Sequence, residues 1–210
     1  RTLLEREVET DRPGGIEVRE RELFSYLVRR VVSGFRPRLA EVSARTAARA
    51  GEDSDAALQG LVAKGWVRLD PLASDFSGVG PFAFEDTDWS VSMGETAVSA
   101  QSALDSLAVH FVSGNGGNDV FIRSHCGYCS REITISIKYG RIRSAAPAEI
   151  RVFLPEEADP PVPSLFFCCP SDFFSWRSEN PRAGTALTLE EGLIYSEGFF
   201  GGAAGEGNVS

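Results

Sequence analysis

The segment Asp119-Val120-Phe121-Ile122-Arg123-Ser124, the turn His125-Cys126-Gly127-Tyr128-Cys129, and the segment Glu132-Ile133-Thr134-Ile135-Ser136-Ile137-Lys138-Tyr139 decide the fold. Apolar residues recur at every second position on both sides of the turn. That period belongs to strands with one face buried, so the stretch predicts an antiparallel hairpin with a cysteine pair at its tip. Working outward, Ile150–Leu154 and Leu165–Cys169 read as further short strands, the second ended by Pro170. Ser90–Met93 and Glu95–Ser99 flank Gly94 as a second hairpin. Between the hairpins, Ala103, Leu104, Leu107, Ala108 and Phe111 fall at helical spacing. Helices are also expected at 172–176 and 189–200.

Upstream the period changes to 3.6 residues. Leu23, Leu27, Val28, Val31 and Val32 mark a helix over 20–33, and Leu39, Val42 and Thr46 mark one over 38–50. A third, capped by Asp53 or Ser54, carries Ala57, Leu58, Leu61 and Val62 and stops at Gly65. The strand Trp66-Val67-Arg68-Leu69 follows. Three helices and a strand make a winged-helix-like pattern. The chain is therefore expected to be α+β. A winged-helix-like domain occupies 1–70, a Pro-, Gly- and Ser-rich linker 71–90, and a mixed or antiparallel sheet domain with helices 91–210. The glycine-rich tail from Gly201 reads as disordered.

Composition limits what this fold can do. A net charge of −9 repels phosphate backbones and weighs against a nucleic-acid partner. Eight arginines gather in residues 19–49, but the third helix holds Glu52, Asp53 and Asp55 against Lys64 alone. The basic run therefore reads as a solvated face. No run of 18 apolar residues is present to span a membrane. No stretch reads as a signal peptide, so a cytoplasmic location with reduced thiols is expected. A homodimer is compatible with the sequence. The Gly114–Gly117 turn lacks a phosphate-loop pattern.

All four cysteines, Cys126, Cys129, Cys168 and Cys169, lie between residues 126 and 169. Cys-x-x-Cys spacing lets two sulfurs converge on one metal ion, and Cys168 and Cys169 could complete a four-thiolate site. Adjacent strand residues point to opposite faces, so both can serve only if the backbone bends before Pro170. A second candidate is Ser102 with Asp105, three residues apart on one helical face, where a carboxyl could donate or accept a proton. A Ser-His-Asp triad is excluded: His110 lies about two turns, or roughly 12 Å, from Ser102.

In order and spacing, three motifs resemble the organomercurial (alkylmercury) lyase family. They are Gln101-Ser102-Ala103-Leu104-Asp105-Ser106-Leu107, Arg123-Ser124-His125-Cys126, and Phe167-Cys168-Cys169 followed by Phe173-Phe174. Gly65-Trp66-Val67 matches the end of that family's N-terminal domain. The resemblance covers about residues 20 to 200. It implies protonolysis of carbon–mercury bonds by two cysteines and an aspartate, with no cofactor. Thiolates hold soft Hg(II), and a carboxyl group delivers the proton to the leaving carbon. Matched motif by motif, the aspartate falls on Asp105, the second catalytic cysteine on Cys168 and a structural cysteine on Cys126. The first catalytic cysteine falls on Ser102, a hard and weak mercury ligand, with Cys129 and Cys169 as extra thiols nearby. The expected site is thus Ser102, Asp105 and Cys168, acting on a small organometallic molecule or another metabolite together with small thiols. The alternatives are a non-catalytic protein in which Cys126, Cys129, Cys168 and Cys169 hold zinc, copper or mercury, and a biosynthetic enzyme that reuses the pocket.

Overall fold

The computed structural model describes residues 16–42, 53–113, 119–156, 162–181 and 184–201. It begins with helix α1 (Val18–Val32), whose buried face is Phe24, Leu27, Val28 and Val31. Residues 39–42 are helical, and residues 43–50 of that expected helix lie outside the described residues. Helix α2 (Asp53–Ala63) crosses α1 at Gly60, where any side chain would collide with the Glu20 carboxylate. Lys64 Nζ meets the same buried carboxylate at 2.6 Å. Desolvation pushes the Glu20 carboxyl pKa upward, but the lysine and the Glu17 backbone N–H outweigh it and hold the value below its usual range.

The strands form two antiparallel sheets. The larger runs β1-β2-β3-β5-β4-β6-β7-β8, comprising β1 (Val67–Asp70), β2 (Asp75–Val79), β3 (Phe82–Ala83), β4 (Ser90–Met93), β5 (Thr96–Ala100), β6 (Val120–His125), β7 (Glu132–Lys138) and β8 (Arg141–Ala146). The smaller is β10-β9-β11, from β9 (Arg151–Pro155), β10 (Leu165–Phe167) and β11 (Gly184–Thr188). The β6–β7 hairpin pairs Val120 with Ile137 through His125 with Glu132. Its alternation is as the sequence predicts: Val120, Ile122 and Ser124 turn inward, as do Ile133, Ile135 and Ile137.

Helix α3 (Ala103–Val112) packs on α5 (Leu189–Phe200), and α4 (Pro170–Glu179) follows β10. Leu107 of α3 meets α5 where Gly192 approaches closely; a Cβ there would stand 3.1 Å from Val152 and 3.4 Å from Leu107. At the far end of α5, Phe200 and Phe24 both set their rings against Trp66, at 5.5 Å and 5.2 Å. Helices from the two ends of the chain thereby share one continuous core.

Residues 71–90 depart from expectation. They are not a linker but carry β2 and β3, because Phe76, Val79 and Phe82 are wholly buried among the polar residues that suggested a loop. Strands β8 and β11 have no counterpart in the sequence reading. Neither has the regular buried–exposed alternation that marks a strand in the sequence. Residues 114–118, 157–161 and 202–210, which include the Gly114–Gly117 turn and most of the glycine-rich tail, lie outside the described residues.

Because Leu107 is wholly buried where α3 packs on α5, Leu107→Ala is expected to cost about 2–5 kcal/mol. Urea unfolding of the variant checks this, and a loss well under 1 kcal/mol would contradict the packing described.

Candidate active-site pocket and thiol cluster

Two chemically distinct groups of residues sit at opposite ends of β10. The first is built on the N-terminus of α3. Ser102 takes an extended conformation as the N-cap, and its Oγ accepts the Asp105 backbone N–H at 3.2 Å. The same hydroxyl donates to Asp105 Oδ2 at 2.6 Å. Ser164, just before β10, donates its hydroxyl to Ser102 Oγ at 2.8 Å and accepts the Leu104 N–H at 2.8 Å. A chain of donors thus runs from the Leu104 amide through two hydroxyls to one carboxylate. Ser164 also accepts the Ala103 N–H at its carbonyl, 3.1 Å away, which fixes β10 against the helix start.

Ser102, Asp105 and Ser164 line a pocket of about 410 Å³ whose remaining wall is largely apolar, including Leu154, Val162, Tyr195 and Phe199. An apolar cleft with a few convergent polar groups is the usual form of a small-molecule site. Asp105 touches the pocket with part of its surface and has protein behind it. Burial pushes its carboxyl up to about 6, opposed by the Ser102 hydroxyl and then by the Arg68 guanidinium. Arg68 reaches this region from β1, where its Nη2 donates to the Phe82 carbonyl at 3.2 Å. Its own pKa is lowered, first by burial. A side chain at Gly78 would collide with that guanidinium.

The second group joins the β6–β7 turn to the start of α4. The turn is closed by the Cys126 N–H to Arg131 carbonyl bond at 2.8 Å and the Ser130 N–H to Cys126 carbonyl bond at 3.1 Å. Gly127 N–H donates to the Phe166 carbonyl at 2.8 Å and so docks the turn on β10. Phe153, Phe167, Phe173 and Trp176 stack at centroid distances from 4.9 to 6.5 Å and hold α4 against the small sheet. Cys126, Cys129, Cys168 and Asp172 consequently point one ligand atom each into a space where all lie within 4.8 Å of one another. Cys168 Sγ stands 3.6 Å from Cys129 Sγ and 3.2 Å from Asp172 Oδ2. Burial, then the neighbouring carboxylate, pushes the Cys168 thiol up. The Cys129 and Cys168 thiols donating to Asp172 hold its carboxyl down.

A family model for alkylmercury lyase matches residues 82–201. The chain belongs to the alkylmercury lyase family. A crystal structure described as the mercury-bound form of MerB2 superposes with a TM-score of 0.77 over 97% of this chain and 100% of that one, at 15% identity. That likeness establishes a shared fold. No curated protein matches the chain.

The lyase motifs are divided between the two groups. Ser102 and Asp105 come together, with Ser102 as the extended N-cap and not, as expected, a residue within the helix. Cys168 does not join them: it lies outside the pocket, and its contacts are Cys126, Cys129, Cys169 and Asp172. Among the described residues, the hydrogen bonds of Cys168 go to the thiol cluster, and those of Ser164 go to Ser102 and the start of α3. The four-thiol grouping is also corrected. Cys169 is the N-cap of α4, 3.9 Å from Cys168 Sγ, and faces Ser171 Oγ at 3.1 Å. Asp172, three residues further on, takes the fourth position. Neither Asp172, Ser164 nor Arg68 was legible as a site residue; Asp172 alone carried a signal, as an acid one turn into a helix that starts at a cysteine. His110 accepts the Gly140 N–H at Nε2, 2.8 Å away, and burial lowers its pKa, so it is a neutral structural imidazole. His125 is exposed on the outer face of β6.

Because the folded-state pKa of Asp105 is raised, ionisation opposes folding. The penalty is absent below the unfolded value of about 4 and grows until pH passes about 6. Asp105→Asn is therefore expected to leave stability at pH 4 nearly unchanged and to raise it by roughly 2 kcal/mol at pH 8, after discounting for the carboxyl's access to the pocket. Urea midpoints at the two pH values read the difference; equal effects at both would refute the burial argument.

Proposed function

We propose that this member of the family is a lyase that cleaves carbon–mercury bonds by protonolysis, with Asp105 as the acid and a small thiol from solution as the soft ligand. The observation that carries the reading is a carboxyl held near pH 6 on the wall of an apolar pocket. Such a group is protonated in roughly a tenth of the molecules at pH 7, about a hundredfold more than an ordinary carboxyl, and sits where an organic group would be desolvated. Ser102 Oγ steadies the carboxylate left after proton transfer, and Ser164 holds that hydroxyl in place. The described residues that line the pocket include no sulfur, which fits an external thiol in the role that a second protein thiolate would otherwise take.

The step balances as follows. The substrate is an organomercury thiolate, R–Hg–SR′. The carbon–mercury electron pair passes to carbon as carbon takes the Asp105 proton, releasing R–H. A second thiol molecule closes on mercury as its thiolate, and its proton restores the carboxyl. The products are the hydrocarbon and a mercury dithiolate, with no change of oxidation state at mercury.

Purified protein given phenylmercury and excess small thiol is expected to release benzene. Asp105→Asn should abolish the release, and the single-turnover rate should fall as pH rises through about 6, because only the protonated carboxyl donates. Absence of benzene would sink the reading. Ser102→Cys puts a thiol into the pocket beside Asp105 and is expected to raise Hg(II) affinity there by orders of magnitude. Unchanged affinity would mean that Ser102 does not meet the metal.

A further inference from the structure

We propose that Cys126, Cys129, Cys168 and Asp172 form a closed zinc site that staples the large sheet to the small one, separate from the Asp105 pocket. Three observations support this. The first is distance. Zinc with sulfur ligands at about 2.3 Å and a carboxylate oxygen at about 2.0 Å has tetrahedral edges of about 3.8 Å between sulfurs and about 3.5 Å from sulfur to oxygen. The separations here are 3.6 Å for Cys129 to Cys168, 3.2 Å for Cys168 to Asp172 and 3.4 Å for Cys126 to Asp172. A slight expansion around a bound ion brings all three to those values.

The second is the donor set. Three sulfurs and one carboxylate oxygen in a compact four-cornered arrangement suit zinc, which takes mixed sulfur and oxygen ligands in tetrahedral geometry. Copper(I) selects soft sulfur donors, so the carboxylate would be a poor ligand for it, and magnesium or calcium would reject the thiolates. All four corners come from the protein, which marks a structural centre and leaves no open position for a substrate.

The third is support around the ligands. The Cys168 backbone N–H points at Cys126 Sγ at 3.4 Å, as an amide does when it shares the charge of a ligating thiolate. The turn holding Cys126 and Cys129 is closed by its own backbone bonds and tied to β10 through Gly127. Ser130 completes the turn with φ of 58°, a left-handed conformation that brings the second sulfur back toward the first. The ligands come from the β6–β7 hairpin on one side and from the end of β10 and first turn of α4 on the other, so the ion would cross-link segments about 40 residues apart. Binding would release the thiol protons, as thiolate ligation requires.

The test is metal content of the full-length chain. Protein kept reduced and reconstituted with zinc is expected to retain one ion per chain after gel filtration. Cobalt(II) in its place should give intense sulfur-to-metal charge-transfer absorption and the visible bands of tetrahedral coordination. Cys129→Ser removes an exposed ligand with little risk to folding, and should weaken zinc binding about 100-fold or more. Cys169→Ser should leave stoichiometry and affinity unchanged, as should Asp105→Asn, so failure here and failure of the lyase reading remain distinguishable. Reduced protein that retains no zinc, or a Cys129→Ser variant that binds as tightly as the parent, would overturn the site.

Discussion

Burial of Phe166 and Phe167 fixes the short strand on which both groups of polar residues depend. The two rings are almost wholly inaccessible, and each contributes on the order of 2 kcal/mol or more by leaving water. With β10 pinned, Ser164 at its start is carried to the N-terminus of α3, and Cys168 just past its end is carried to the β6–β7 turn. The Gly127 N–H to Phe166 carbonyl bond closes the arrangement from the other side. A shift of β10 by one residue would exchange the two packed faces on which Phe166 and Phe167 lie and separate both sets of partners at once.

Electrostatics gives a reason for keeping the two groups apart. Asp105 is useful as an acid because burial favours its neutral form, and only one hydroxyl and a more distant guanidinium oppose that. Asp172 has the opposite surroundings: thiols donate to it and stabilise its anion. One carboxyl is shifted toward its protonated form and the other toward its anion. A metal ion beside Asp105 would draw its carboxyl into the ionised form and remove the proton source.

Local sequence made much of the fold legible. Alternation in Val120–His125 and Glu132–Lys138 gave the hairpin; the 3.6-residue period of Leu104, Leu107 and Phe111 gave α3; and Gly94, with φ of 59°, marked the turn between β4 and β5. The strands that escaped notice are those whose residues do not alternate. Phe76, Val79 and Phe82 are apolar but separated by Ser77, Gly78, Gly80 and Pro81, which read as loop. In the tertiary structure these small residues let Arg68 and Phe24 approach the backbone closely.

The sequence by itself determined which residue types were present to do chemistry, and the local geometry of those within one turn of each other. Ser102 and Asp105, three residues apart, were expected to share a helical face, and the structure brings them together instead as N-cap and N3. The Cys126–Cys129 turn likewise needed only its own hairpin. Tertiary structure alone decided which of these local units faced which. Cys168 was free, on sequence grounds, to join Asp105 or the first cysteine pair. Strand β10 is anchored by its phenylalanines with Ser164 before its start and Cys168 past its end, and Cys168 meets the cysteines of the β6–β7 turn. Cys169 caps the helix beside the cluster with its Sγ against Ser171, and Asp172 in the first turn reaches the Cys126 and Cys168 sulfurs. Those are consequences of packing between residues 40 and 60 positions apart, which no local pattern encodes.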